Sequence, residues 1–143
     1  MAVTQLSVFL ENKPGRLAET VRTLKENRIN IRALSLADTK DFGILRLIVS
    51  DTALAKQVLS ASSVVMTTDV LAIRMDDRSG ALSDILQVFE SANINVEYMY
   101  AFTGSDAASA YVVLRVDRVA ESEAALNAAG VTVLSNDELT AAL

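Results

Sequence analysis

A chain of 143 residues, 51% apolar and 22% charged, can bury one ordinary core or two small ones. Its net charge of −5, with no basic stripe, argues against nucleic acid, whose binding rests on phosphate neutralisation. The absence of cysteine and histidine excludes disulfides, thiolate metal sites and the commonest general base, and no apolar run approaches the roughly 20 residues of a membrane helix.

Residues 4–11 alternate, with Leu6, Val8 and Leu10 on one face, and predict a half-buried strand. Asn12-Lys13-Pro14-Gly15 stops it at the only proline in the chain. Leu17, Val21 and Leu24 then recur at helical spacing, which predicts a helix over 16–27. A strand over 29–36, a polar turn at 38–41 and a central strand over 43–49 follow. Asp51-Thr52 opens a short helix to Leu59, and 64–67 reads as a fourth strand.

The second half repeats the first. Leu71, Ile73 and Met75 stand 65 positions after Leu6, Val8 and Leu10. Leu82, Ile85, Leu86 and Phe89 form the next helical stripe. Strands over 94–102 and 110–116 flank a turn at 103–108, read as one residue longer than its counterpart because Asp117 is matched to Asp51. A helix over 119–129 stops at Gly130, residues 131–134 close the sheet, and 136–143 form terminal helical turns.

This is one supersecondary unit written twice. The order strand–helix–strand–strand–helix–strand predicts an α/β (α+β) fold: two ferredoxin-like βαββαβ units in tandem, each an antiparallel four-stranded sheet with helices on one face. The expected units are 1–68 and 69–143. Phe9, Leu34, Leu36, Val70 and Met99 are expected on the opposite sheet faces, covered by the other unit or by a second chain.

The repeated turn carries the candidate chemistry. Gly15 and Gly80, 65 positions apart, stand at the mouth of each first helix. There unpaired N–H groups and positive partial charge suit a small carboxylate. Asn12 or Asp77 precedes each glycine by three positions, and Asn30 or Asn95 begins the following strand. An amide donates and accepts at once, so donors for a carboxylate and acceptors for an ammonium are both present, as a free amino acid requires.

The stretch Glu11-Asn12-Lys13-Pro14-Gly15-Arg16-Leu17, followed by Asn30-Ile31, resembles an ACT domain, in particular the serine-binding regulatory domain of phosphoglycerate dehydrogenases. The stretch 95–102 is similar to small stand-alone tandem ACT proteins. The resemblance covers almost the whole chain. It implies a non-catalytic, ligand-responsive regulator that binds an amino acid where ACT units meet, with no cofactor. It also implies a homodimer, with an enzyme or transcription factor as target. The lack of cysteine together with no visible secretory signal favours the cytoplasm, and the acidic charge and short apolar runs argue against nucleic acid and membrane as partners.

Carried over, the ligand-binding residues are Asn12, Pro14, Gly15, Arg16, Leu17 and Asn30. Gly15, Arg16 and Leu17 would present backbone N–H groups, and Asn30 would reach across an interface. Asp77, Ser79, Gly80, Ala81, Leu82 and Asn95 are their counterparts. Leu10 stands where serine-binding relatives carry a histidine, which argues against serine. The second turn has Asp for Asn and Ser-Gly for Pro-Gly, which points to a different ligand or none.

Two other readings remain open on the residues. The same strand order supports an acylphosphatase-like hydrolase, with Arg16 and Asn30 in its arginine and asparagine roles. An adaptor without ligand also fits. An RNA-binding sheet would rest on Tyr98, Tyr100, Phe102 and Tyr111, against the acidic charge.

Overall fold

The computed structural model describes residues 2–38, 41–104 and 107–142. Its packing divides into two compact units, Thr4–Thr68 and Asp69–Leu143, the latter taking in Met1–Val3.

In the first unit β1 (Val3–Glu11) leads to α1 (Arg16–Glu26), then to the hairpin of β2 (Ile31–Asp38) and β3 (Phe42–Val49). Helix α2 (Thr52–Leu59) returns the chain to β4 (Val64–Asp76). Hydrogen bonding orders the strands β2-β3-β1-β4, with β3 antiparallel to both β1 and β2. The core lies between this sheet and its helices. Leu6, Val8 and Leu10 of β1 and Leu45 and Leu47 of β3 pack with Leu24, Ala55 and Leu59.

The second unit starts inside the same β4, whose 13 residues contain the boundary between units without a break. The sequence reading ended the fourth strand at residue 67; the structure carries it on to Asp76. Then come α3 (Ala81–Ser91), β5 (Val96–Thr103), β6 (Ser109–Val116), α4 (Val119–Ala128), β7 (Thr132–Leu134) and α5 (Asn136–Ala142). Strand β4 pairs with both β6 and β7, and β6 with β5, all antiparallel. Leu71, Ile73, Val112, Leu114 and Val116 meet Ile85, Phe89 and Leu126 in the core. Two ferredoxin-like βαββαβ units in tandem are therefore present, as expected.

Three details differ from the sequence reading. Helix α1 buries Thr20 and Leu24 and leaves Leu17 and Val21 exposed, while α3 buries Ala81, Ile85 and Phe89 and leaves Leu86 exposed. A stripe of apolar letters does not say which edge of it faces the sheet. Second, Leu34 and Leu36 pair with Leu47 and Leu45, and Met99 with Leu114, so these side chains lie on the helix-bearing face. A register shift between Ile31 and Ala33, repeated between Val96 and Tyr98, inverts the alternation. Third, Asp117 corresponds to Ser50. Leu47 pairs with Leu6 and Leu114 with Leu71, so the hairpin between β5 and β6 is two residues longer. Asp51 caps α2 by accepting from the Leu54 N–H at 3.1 Å, a role that passes to the position of Arg118, where no side chain caps α4. The turns expected at 38–41 and 103–108 include Thr39, Lys40, Ser105 and Asp106, which lie outside the described residues.

Candidate functional site

The two turns are the same structure built from different side chains. After β1, the Asn12 N–H donates to the Asp41 carbonyl at 3.2 Å, the Arg16 N–H to Lys13 at 3.3 Å and the Glu19 N–H to Gly15 at 2.9 Å. After β4, Asp77 donates to Ala108 at 3.0 Å, Ala81 to Arg78 at 3.3 Å and Asp84 to Gly80 at 3.0 Å. Gly15 and Gly80 sit at φ 90° and 87°, a region L side chains rarely adopt. A Cβ at Gly15 would meet nothing within 4 Å, so the backbone requires glycine while the space before it is open.

The N–H of Arg16 was expected among the donors to a ligand. It is engaged by the turn, as is that of Ala81, whose side chain is buried. Among the described residues, the N–H groups of Leu17 and Ala18, and of Leu82 and Ser83, have no acceptor in the protein. Ala18 and Ser83 escaped the sequence reading. Counting from the N-cap glycine, whose carbonyl takes the first helical bond, would have identified them. Asn12, Pro14 and Gly15 are exposed around the first pair, and Asp77, Ser79 and Gly80 around the second.

Asn30 and Asn95 are placed by the other end of the first helices. Ile29 N–H donates to the Leu24 carbonyl and Arg28 N–H to Lys25, a Schellman closure with Arg28 at φ 56°. Ile94, Phe89, Asn93 and Glu90 repeat it, with Asn93 at φ 55°. The Asn30 N–H donates to the Ser50 hydroxyl and its carbonyl accepts from the Ser50 N–H, while the Asn95 N–H donates to the Asp117 carboxylate and its carbonyl accepts from the Asp117 N–H. Their amides are exposed and have no partner among the described residues. The 11 residues of α1 put about 16 Å between Asn30 and the turn of its own unit. The structure thus gathers Asn12, Gly15 and Leu17 at one end of α1 and leaves Asn30 at the other.

Charge separates the turns. Around the first, Lys13 pairs with Glu11 at 3.0 Å and Arg16 with Glu19 at 3.2 Å, so two acids face two bases. Lys13, by hydrogen bond and charge, and then Arg16, hold the Glu11 carboxyl below the usual carboxylate range. Around the second, Arg78 alone meets Asp76 and Asp84, and Asp77 adds a further negative charge. Among the described residues no acidic cluster could hold a metal ion, and no helix is long and apolar enough to cross a membrane.

A family model described as an ACT domain pair matches residues 1–142. The chain belongs to the ACT domain family. The structure of protein BT0572 from Bacteroides thetaiotaomicron is similar to it, with 38% identity and a TM-score of 0.92 over 97% of this chain and 96% of that one. The regulatory subunit of aspartate kinase from Thermus thermophilus, in its ligand-free form, is 15% identical with a TM-score of 0.64, covering 89% of this chain and 90% of that one. The corresponding subunit from Thermus flavus is 16% identical with a TM-score of 0.63, covering 87% and 88%. At these identities the likeness to the kinase subunits is one of fold. No curated protein matches the chain. As an ACT pair, it carries the turn described above once in each ACT unit.

Proposed function

We propose that this ACT pair is a non-catalytic regulatory module that binds a free amino acid and passes its level on through association or through contact with an enzyme or regulator. The ACT domains of this reading are residues 1–68 and 69–143. The observation that carries it is the duplicated turn, in which a left-handed glycine opens onto two unengaged helix N–H groups. A carboxylate satisfies those donors and the positive end of the helix together.

In the first unit Asn12, with Pro14 and Gly15 shaping the turn, receives the ligand's polar end, and Leu17 and Ala18 hold its carboxylate. The Arg16 guanidinium lends positive charge nearby. Asn30 of another unit completes the site, since its own turn lies too far away. The second turn, with Ser79, Gly80, Leu82 and the engaged Ala81, has the same geometry, but Asp77 repels an anion there. Its partner Asn95 is equally exposed.

Homodimerisation in the cytoplasm is part of this reading. Strand β2 ends the strand order and leaves Leu34 and Leu36 exposed at 53% and 48%. Two such edges can cover each other.

Equilibrium dialysis against an equimolar mixture of the twenty amino acids tests the proposal. One amino acid, or a related few, should be enriched on the protein side, and Gly15→Val should lose that enrichment while remaining folded. Even partition of all twenty would refute it.

A further inference from the structure

Each unit holds a polar cleft beside the turn, and the residues that supply the unengaged N–H groups are not among those that line it. In the first unit a cleft of about 220 Å³ opens between α1, the end of β1 and the segment that joins α2 to β4. Its walls carry Glu11, Arg16, Glu19, Thr23 and the hydroxyls of Ser62 and Ser63. The second unit has a cleft of about 280 Å³ at the corresponding place, lined by Asp76, Arg78, Asp84 and residues 130–132.

The repetition is of chemistry rather than of letters. Glu11 and Asp76 are counterparts 65 positions apart, as are Glu19 and Asp84. Each pair of carboxylates brackets one arginine. In the first unit that arginine is Arg16, at the first position of the helix, 3.2 Å from Glu19 and 4.0 Å from Glu11. In the second it is Arg78, from the turn, 3.0 Å from Asp84 and 3.8 Å from Asp76. Arg78 stands at the position of Lys13, which pairs with Glu11 at 3.0 Å, and the position of Arg16 is Ala81, so the second cluster keeps one base where the first has two and still brackets it with both carboxylates. Stability is a weak reason for this, because exposed ion pairs contribute little.

The cleft lies on the other flank of α1 from Leu17 and Val21. At about 100° per residue, Arg16, Glu19 and Thr23 fall on one side of the buried Thr20–Leu24 line, and Leu17 and Val21 on the other. An association that covers the Leu17 flank therefore leaves the cleft open.

We infer that the first cleft is a separate small-molecule site for a compact ligand bearing one ammonium and further hydrogen-bonding oxygens, the class to which free amino acids belong. Glu19 and Glu11 take the ammonium, Arg16 takes a ligand carboxylate, and Thr23, Ser62 and Ser63 meet the remaining polar atoms. The backbone N–H groups of Ser62 and Ser63 are taken by the Leu59 carbonyl, and both residues line the cleft. In the second cleft Gly130, Val131 and Thr132 form that wall and Ile85 stands in place of Thr20, so the paired serine hydroxyls of the first cleft are not repeated.

Amide NMR on the full chain tests this, with glycine, serine and glutamine titrated separately to 50 mM. At least one should give saturating shifts at Thr20, Thr23, Ser62 and Ser63, also in the Gly15→Val variant. Glu19→Gln should weaken that binding about tenfold, and Ser63→Ala should weaken it less. Shifts confined to residues 15–18 would leave the proposed function standing and overturn the cleft. No saturating shift at the cleft with any of the three, or an unchanged affinity in Glu19→Gln, would also overturn it. Cleft shifts without turn shifts would support this inference and count against the turn as a site.

Discussion

Replacing either turn glycine by alanine isolates one physical term. Gly15 and Gly80 share a φ near +90°, and at neither does an added Cβ meet a rigid neighbour. Nothing lies within 4 Å at Gly15, and only the flexible guanidinium of Arg78, at 3.7 Å, at Gly80. The cost of Gly15→Ala or Gly80→Ala is therefore conformational: the strain of a left-handed non-glycine residue, about 1–2 kcal/mol. For a chain of this length that lowers Tm by about 3–8 °C. The two substitutions sit in turns of separate units and share no partner, so the double variant should lose the sum to within about 0.5 kcal/mol. Urea denaturation of both single variants and the double measures this directly. A loss below about 0.3 kcal/mol at either site would mean that the turn relaxes to another conformation. A loss above about 4 kcal/mol would mean that the added methyl meets a contact the structure lacks. Gly104→Ala provides the contrast: its Cβ would stand 2.4 Å from the Tyr111 ring and 2.7 Å from the Ala142 carbonyl, so it should cost more than either turn substitution.

Asp51→Ala removes the side-chain acceptor of the Leu54 N–H and should destabilise the first unit by about 1 kcal/mol in urea denaturation, while Arg118→Ala removes no helix cap. Lys13→Ala should raise the Glu11 pKa toward the ordinary carboxylate range, as followed by NMR titration of the side chain. Because the folded pKa is the lower one, the stabilising contribution of Glu11 is present above its unfolded pKa and is lost as pH falls through the folded value. Leu34→Glu places a charge on the exposed β2 edge and should convert a dimer to a monomer in light scattering. A monomeric parent, or a variant that stays dimeric, would contradict the proposed association.

The tandem fold was legible because the repeat is long and its period constant. Leu6, Val8 and Leu10 and their counterparts Leu71, Ile73 and Met75 mark the same strand face. The register shifts after Ile31 and Val96 were not legible. Nothing in Ile31-Arg32-Ala33 distinguishes a bulged strand from a regular one, and one extra residue moved Leu34, Leu36 and Met99 to the helix-bearing face. The buried edge of α1 was missed for a related reason. Thr20 satisfies its hydroxyl on the Arg16 carbonyl and so enters the core, where an apolar count would have placed Leu17 or Val21. At the site, the glycines were readable from their place after a strand and before a helix. Which N–H groups stay unengaged was not, because it depends on the bonds from Arg16 to Lys13 and from Ala81 to Arg78.

Scanning calorimetry of the full chain with each of the twenty amino acids in turn tests the central claim most directly. A ligand at a hundredfold over its Kd adds about 2.7 kcal/mol, or roughly 5–10 °C in Tm at this size. The account predicts such a rise with one amino acid or a chemically related few, and its absence in Gly15→Val. Twenty unchanged transitions at millimolar ligand would contradict the reading of this ACT pair as an amino-acid sensor.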